Sequence, residues 1–242
     1  MSFVFEELDF QRTPLGDISL RKRGEPRLGG KIVYEVKLGD EFLMSSLFTA
    51  SEIALATLGL GALEVQELDV VVGGLGLGYT AVAALDNPAV CSLRVIEVMA
   101  PVIDWHRRGL VPLGAQLVAD PRCTLMHADF FAVASAAGRG FDPAEPEARV
   151  HAVLLDIDHS PSHWLNPANR DFYTPQALTR MAAKIHPGGV FALWSNDPPH
   201  AAVTELLDGV FATAEAHVVP FPNFYTGGES SCTVYVARTA SA

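Results

Sequence analysis

The stretch Val70-Val71-Val72-Gly73-Gly74-Leu75-Gly76-Leu77-Gly78-Tyr79-Thr80 decides the fold. Three consecutive valines read as a strand buried on both faces, the glycines let the chain turn sharply, and Tyr79 opens a helix. At such a junction the backbone can approach a ligand closely, and the first amides of the helix are expected free to donate. Tyr79 stands where the dinucleotide fingerprint G-x-G-x-x-G has its last glycine. The turn therefore points to a nucleoside without a pyrophosphate, cradled by Gly73, Gly74, Gly76 and Gly78.

Downstream, short apolar runs alternate with helical segments. Leu68–Val72 leads to a helix over Tyr79–Leu85, Leu93–Val98 to Val102–Leu110, and Cys123–Met126 to Phe130–Ala137. Val150–Ile157 is followed by a helix over Phe172–Ile185, Val190–Trp194 by one over Ala201–Phe211, and strands close the chain around Ala216–Val219 and Thr233–Ala237. This alternation predicts an α/β fold, a doubly wound, mostly parallel seven-stranded sheet. The last strand has no helix before it and is expected to be antiparallel. His186-Pro187-Gly188-Gly189 reads as a helix terminator, and Gly138–Arg149 as an exposed loop.

Upstream, Lys31–Leu38 and Glu41–Met44 flank Gly39-Asp40 as a hairpin, and Ile18 and Leu20 suggest a strand before it. A helix begins near Thr49 or Ser51 and stops near Gly59 and Gly61. Residues 1–48 thus read as a small β-rich lobe and residues 49–242 as the α/β domain.

The chain has 242 residues, 49% hydrophobic and 19% charged, enough for a sizeable core. Its 28 acidic and 17 basic side chains give a formal charge of −11, which opposes nucleic acid and anionic lipid surfaces. Much of that excess, in Glu6–Asp9 and Asp142–Glu147, reads as solvated. Cys91, Cys123 and Cys232 form neither a disulfide framework nor a zinc pattern, in keeping with a reducing cytoplasm. Met1–Asp9 has no basic segment before an apolar run, so no leader is expected, and Val70–Leu85 is too short and glycine-broken to span a bilayer.

Acidic residues recur at the ends of the predicted strands. Glu97 ends the second, about 20 residues after the glycine turn, where a carboxylate can accept from both hydroxyls of a ribose. Asp129 ends the third and either accepts from an adenine amino group, with Phe130 or Phe131 on the ring, or caps the next helix. Asp156 and Asp158 end the fourth, placed to hold a cationic amine or take its proton; Asp158 has the alternative of capping its turn through Ser160. His159 and His163 are four apart, but Pro161 and Pro167 spoil a helix and no further His or Cys is near, so no metal is expected. Ser195-Asn196-Asp197-Pro198-Pro199 resembles the D/N-P-P-Y motif of amino-group methyltransferases but follows the wrong strand. It reads as a loop, with Trp194 and Asn196 toward the pocket.

These residues resemble the spermidine synthase (polyamine aminopropyltransferase) family over nearly the whole chain. The resemblance rests on Thr13-Pro14-Leu15-Gly16, the Gly73–Gly78 turn, Ile96-Glu97-Val98 followed by Val102-Ile103-Asp104, and Asp129. It continues through Leu155-Asp156 with Pro161, Phe172-Tyr173, His186–Gly189, and Val219-Pro220-Phe221-Pro222 to Gly227. It implies a class I methyltransferase-like fold with a small β lobe, usually dimeric. It also implies Glu97 on the ribose, Asp129 with Phe130 on the adenine, and Asp156 as the carboxylate that deprotonates or orients the amine. Glu52, Asp158, Trp194 and Tyr225 would line the amine site.

The departures from the family are specific. Gly76 stands where the family has an aspartate for the aminopropyl ammonium of decarboxylated S-adenosylmethionine, Ala50-Ser51 precedes Glu52 without the family's tyrosine, and Asp158 is out of register. The expected activity is transfer of an aminopropyl or methyl group from decarboxylated S-adenosylmethionine or S-adenosylmethionine to an amine or polyamine, without a metal, by a cytoplasmic homodimer. The alternative is a non-catalytic adenosyl-nucleoside sensor or inactive partner subunit, which the changes at Gly76 and Ala50 favour. A nicotinamide oxidoreductase fits the glycine spacing poorly.

Overall fold

The computed structural model describes residues 4–138 and 140–242. Residues 1–3, the head of the segment read for a leader, and Arg139, within the Gly138–Arg149 loop, lie outside it.

Val70, Val71 and Val72 are buried in β5 (Leu68–Gly73). A strand with no polar face needs neighbours at both edges and cover on both sides. Its edges pair in parallel with β6 (Val90–Glu97) and β8 (Val150–Leu155). Beyond them lie β7 (Cys123–His127) and β9 (Ile185–Ser195), also parallel. Then β11 (Gly228–Arg238) pairs antiparallel with β9, and β10 (Thr213–Asn223) antiparallel with β11. The seven-stranded sheet runs β10-β11-β9-β8-β5-β6-β7, the mostly parallel sheet with an antiparallel last strand that the sequence predicts.

Alternation along β5 divides the core. Val70 and Val72 join one cluster with Leu93, Val95 and Leu154, covered by α1 (Ala50–Gly61), α2 (Tyr79–Leu85), α3 (Ala100–Arg107) and α4 (Gly114–Ala119). Val71 joins another with Ile96, Val153 and Leu155, under α5 (Phe130–Ser135), α6 (Pro175–Ala182) and α7 (Ala201–Asp208). The parallel strands end at one edge of the sheet, and the loops there carry Gly74, Glu97, Asp129 and Asp156.

The N-terminal segment is a separate antiparallel sheet of β1 (Phe5–Thr13), β2 (Gly16–Glu25), β3 (Lys31–Leu38) and β4 (Glu41–Ser45) in chain order. Its Ile18, Leu20, Val36 and Leu38 are buried in the same cluster as Leu75, Leu77 and Val102. The small sheet is thereby packed over the glycine turn.

Several readings of the sequence need correction. Glu6–Asp9 lies in β1, which the sequence reading did not include; Glu6 and Glu7 are exposed as expected, and Asp9 is half-buried. The charges hide the strand: Glu6 pairs with Lys22 at 3.2 Å and Glu7 with Arg21 at 3.8 Å across the ladder. A register shift at Leu8 re-aims Asp9, and the Trp105 indole donates to it at 2.6 Å. The Gly138–Arg149 loop is exposed over Pro143–Ala148 as expected, but its first part is anchored: Phe141 is buried 6.1 Å from Phe130, Arg94 holds Asp142 at 3.0 Å, and the Lys184 ammonium donates to the carbonyls of Gly138 and Gly140. The helix expected over Phe172–Ile185 is a 3-10 turn at Pro167–Phe172 followed by the shorter α6, capped by Thr174. His186-Pro187-Gly188-Gly189 lies inside β9, where the pairing skips from Ile185 to Val190 and so excuses Pro187 from the ladder.

Asp9 joins β1 to α3 through the Trp105 indole. Burial alone would raise its pKa, but hydrogen bonds from Trp105 and Gln11 outweigh that and hold it below its ordinary 3.8. Replacing Asp9 with Ala leaves the buried indole N–H unpaired and should lower stability by about 1–3 kcal/mol in urea unfolding. An unchanged midpoint would remove this contact from the account of how the two sheets are joined.

Candidate active site

The glycine turn is shaped by two close approaches. Gly74 has φ +94°, and a Cβ there would collide with the carbonyl oxygen of Asp156. Gly76 has φ +46°, and a Cβ there would collide with Met44 Sδ, which also receives the Leu77 amide at 2.9 Å. At each position the missing side chain is what lets a neighbour pack against the turn.

Two amides of the turn itself, ahead of the helix start, are already engaged. Leu75 N–H donates to Glu97 Oε2 at 3.0 Å, Met99 N–H to Glu97 Oε1 at 2.8 Å, and Leu77 N–H is spent on Met44. A buried carboxylate at the end of β6 takes these donors because no cation reaches it. Burial raises the Glu97 pKa, while the backbone donors pull against that rise. Each of its oxygens keeps acceptor capacity for a ligand hydroxyl. Beneath the turn lies His106, which the sequence reading missed; its buried ring donates from Nε2 to the Gly76 carbonyl at 2.9 Å, and burial lowers its pKa.

A cavity of about 740 Å³ opens above these residues, between the N-terminal sheet and the strand ends. Glu52, Glu97, Asp129 and Asp156 all line it, together with Gly74, Gly76, Phe130 and Trp194. Among the described residues its lining contains no lysine or arginine. Asp129 caps α5 through Oδ1, accepting from the Phe131 amide at 2.8 Å, and also lines the cavity. The Trp194 indole Nε1–H is buried without a partner among the described residues.

Glu52 and Asp156 interact directly as like charges. Thr80 Oγ1 donates to Asp156 Oδ2 at 2.6 Å, and Ser51 Oγ donates to Glu52 Oε2 at 2.9 Å. Burial pushes the Glu52 carboxyl up from 4.5 to about 7, and the Asp156 charge adds to the rise. Burial pushes Asp156 from 3.8 to about 6 against the Thr80 hydrogen bond. Thr80 has a helical signature in sequence and nothing to mark it as a partner of Asp156.

Other expected site residues lie elsewhere. Gly73 and Gly78 stand behind the cavity wall rather than in it. Asp158 is buried outside the cavity lining and accepts from the Leu165 amide, Asn169 Nδ2 and the Tyr173 hydroxyl at 2.8–2.9 Å. It uses these donors rather than Ser160, and it holds Asn169 in the cavity lining instead of facing the cavity itself. Tyr225 is drawn off by charge; its hydroxyl accepts from Arg23 at 2.8 Å and donates to Glu25 at 3.0 Å. It reaches the cavity only through the edge of its ring against Phe48, 5.8 Å between centroids.

No family model matches the chain. In sequence it is 26% identical over 165 residues to polyamine aminopropyltransferase 2 of Pseudomonas aeruginosa, a match over 64% of this chain and 43% of that protein. The match therefore spans less than half the length of that relative. In structure it superposes on spermidine synthase from Thermotoga maritima with a TM-score of 0.72, 14% identical, over 98% of this chain and 73% of the other. The chain has the fold of spermidine synthase. A spermidine synthase in complex with the transition-state analogue AdoDATO aligns equally well, TM-score 0.72 at 15% identity, over the same shares of the two chains.

The raised carboxyls have a consequence for stability. The folded state binds protons at Glu52 and Asp156 that the unfolded chain has already released, so this contribution is fully present below about pH 4 and is lost as pH rises through 6 to 7. Glu52→Gln should therefore raise the thermal midpoint more at about pH 8 than at about pH 5. Equal shifts at both pH values would mean that the Glu52 carboxyl is not raised by burial and the Asp156 charge.

Proposed function

We propose that this chain is an aminopropyltransferase: it binds decarboxylated S-adenosylmethionine and transfers the aminopropyl group to an amine or polyamine acceptor. The observation that carries the reading is the cavity lined by four carboxylates and, among the described residues, by no lysine or arginine. Such a site attracts a sulfonium and an amine, and offers no counter-ion to the carboxylate of S-adenosylmethionine itself. Glu97 would accept from the ribose hydroxyls, and Asp129 with Phe130 would hold the adenine. Both the sequence relative and the fold neighbours are named for this chemistry. A cytoplasmic homodimer, with residues 1–48 as a distinct lobe, belongs to the same proposal.

The chain's own part in the reaction is to align, exclude water and move one proton. A neutral amine nitrogen attacks the methylene carbon bound to sulfur; the N–C bond forms as the C–S bond breaks, and the electron pair leaves on sulfur as a neutral thioether. The nitrogen must lose one proton. Asp156 is the acceptor for it, a carboxylate whose pKa near 6 makes it a stronger base than a solvated aspartate. Glu52 beside it supplies a second negative charge for the ammonium form of the acceptor.

Met44 favours a second reading. Its sulfur fills the space beside Gly76, so no carboxylate at that position meets the ammonium of an aminopropyl donor. Methyl transfer from S-adenosylmethionine would not need one.

Calorimetric titration separates these readings. Decarboxylated S-adenosylmethionine and methylthioadenosine should bind, and S-adenosylmethionine more weakly. The reverse order would favour methyl transfer, and no binding of any would overturn both. Asp156→Asn should leave donor binding nearly intact while turnover of a polyamine acceptor falls by about 10²- to 10⁴-fold. Donor binding with no turnover of any diamine or polyamine by the wild type would leave the non-catalytic nucleoside sensor as the surviving account.

A further inference from the structure

At the rim of the cavity, two elements far apart in sequence bring three metal-ligating side chains together. Glu41 begins β4 of the small sheet, directly after the Gly39-Asp40 turn. His159 and His163 lie in the loop after β8. Glu41 Oε1 is 2.9 Å from His159 Nε2 and 3.9 Å from His163 Nε2, and the three ligand atoms lie within 4.8 Å of one another. Two ligands at about 2.0–2.1 Å from a tetrahedral ion are about 3.4 Å apart, so the observed spacings bracket what an ion needs.

The two imidazoles are held in place by backbone rather than by a helix. Ser160 and His163 exchange hydrogen bonds of 3.1 and 3.3 Å, closing a tight turn. The Asn196 amide donates to the His159 carbonyl at 2.7 Å, which ties that turn to the end of β9. The ring centroids of His159 and His163 are then 4.8 Å apart. His163 is exposed, so one side of the cluster is open to solvent and leaves room for water as a further ligand.

We propose that Glu41, His159 and His163 bind a divalent transition-metal ion of the zinc type, and that the ion clips the small sheet to the loop after β8 at the mouth of the cavity. Two imidazoles and one carboxylate are a donor set that suits zinc, with the remaining position taken by water. His159 itself lines the cavity, as do Phe42 and Leu43, the residues that follow Glu41. The ion therefore fixes both sides of the opening and takes no part in moving the proton at Asp156. Because the ligands come from two elements, binding stabilises the folded chain by mass action. The inference does not depend on the reading of the cavity as an aminopropyltransferase site.

The test uses the full chain without an affinity tag, Zn²⁺ as the probe, and Cys91→Ser as the background so that the exposed thiol does not compete. Calorimetry should give one equivalent of Zn²⁺, with a rise of several degrees in the thermal midpoint. His163→Asn, on an exposed side chain whose loss leaves the fold intact, should weaken binding at least ten-fold and abolish the rise. Glu41→Gln should act in the same direction. Co²⁺ in place of Zn²⁺ should give the visible bands of a tetrahedral site, absent in His163→Asn. No saturable binding, or binding and a midpoint rise that His163→Asn leaves unchanged, would overturn the proposal.

Discussion

A buried carboxylate at the end of β6 organises the cavity. Glu97 has no cationic partner among the described residues, and burying an anion in that state is costly unless hydrogen-bond donors surround it. The structure supplies them from the glycine turn and from Met99, so the turn is shaped around Glu97 before any ligand arrives. One consequence follows for the chemistry of recognition. A phosphate-binding turn keeps its amides free for the ligand, whereas this one spends Leu75 on a carboxylate and Leu77 on a thioether. Recognition is left to carboxylate oxygens, aromatic faces and the unpaired indole of Trp194, groups suited to an uncharged nucleoside and to cations.

The small antiparallel sheet completes the enclosure. Its inner residues Ile18, Leu20, Val36 and Leu38 share a core with Leu75 and Leu77 of the turn, so it cannot swing away without exposing apolar surface. Met44 extends from that sheet to Gly76 and occupies the volume a side chain there would need. The absence of a side chain at position 76 and the presence of a long flexible one at position 44 are thus one packing arrangement. Met is the apolar residue best able to fill an irregular gap of this kind.

The legible parts of the sequence were those with local causes. A strand buried on both faces is a near-continuous apolar run, and Val70–Val72 could be read without knowing its neighbours. Once the strands are parallel, their carboxyl ends share an edge, so the convergence of Glu97, Asp129 and Asp156 followed from topology. Glu52 joined them through the family resemblance. Long-range partners were not legible. The charges of β1 hid a strand whose polar side faces Lys22 and Arg21, and the role of Asp158 is set by Leu165, Asn169 and Tyr173. Tyr225 was misread because the pull of Arg23 and Glu25, some 200 residues away, leaves no trace in its own neighbourhood. The same limit explains why His159 and His163 looked isolated: Glu41 lies 118 positions from His159.

The net charge of −11 gains a local meaning in the pair Glu52 and Asp156. Each is pushed toward its neutral form by burial, and the nearby Asp156 charge pushes Glu52 further. A cation entering between them reverses both pressures, because it supplies the counter-charge that the protein lacks and favours the ionised carboxylates. Binding an ammonium and releasing protons from the pair are therefore linked, and the linkage runs both ways. In the proposed transfer, a carboxylate ionised by an arriving ammonium would be placed to take the proton when the nitrogen forms its new bond. The repulsion that costs the fold some stability is what makes these two side chains responsive to a cation.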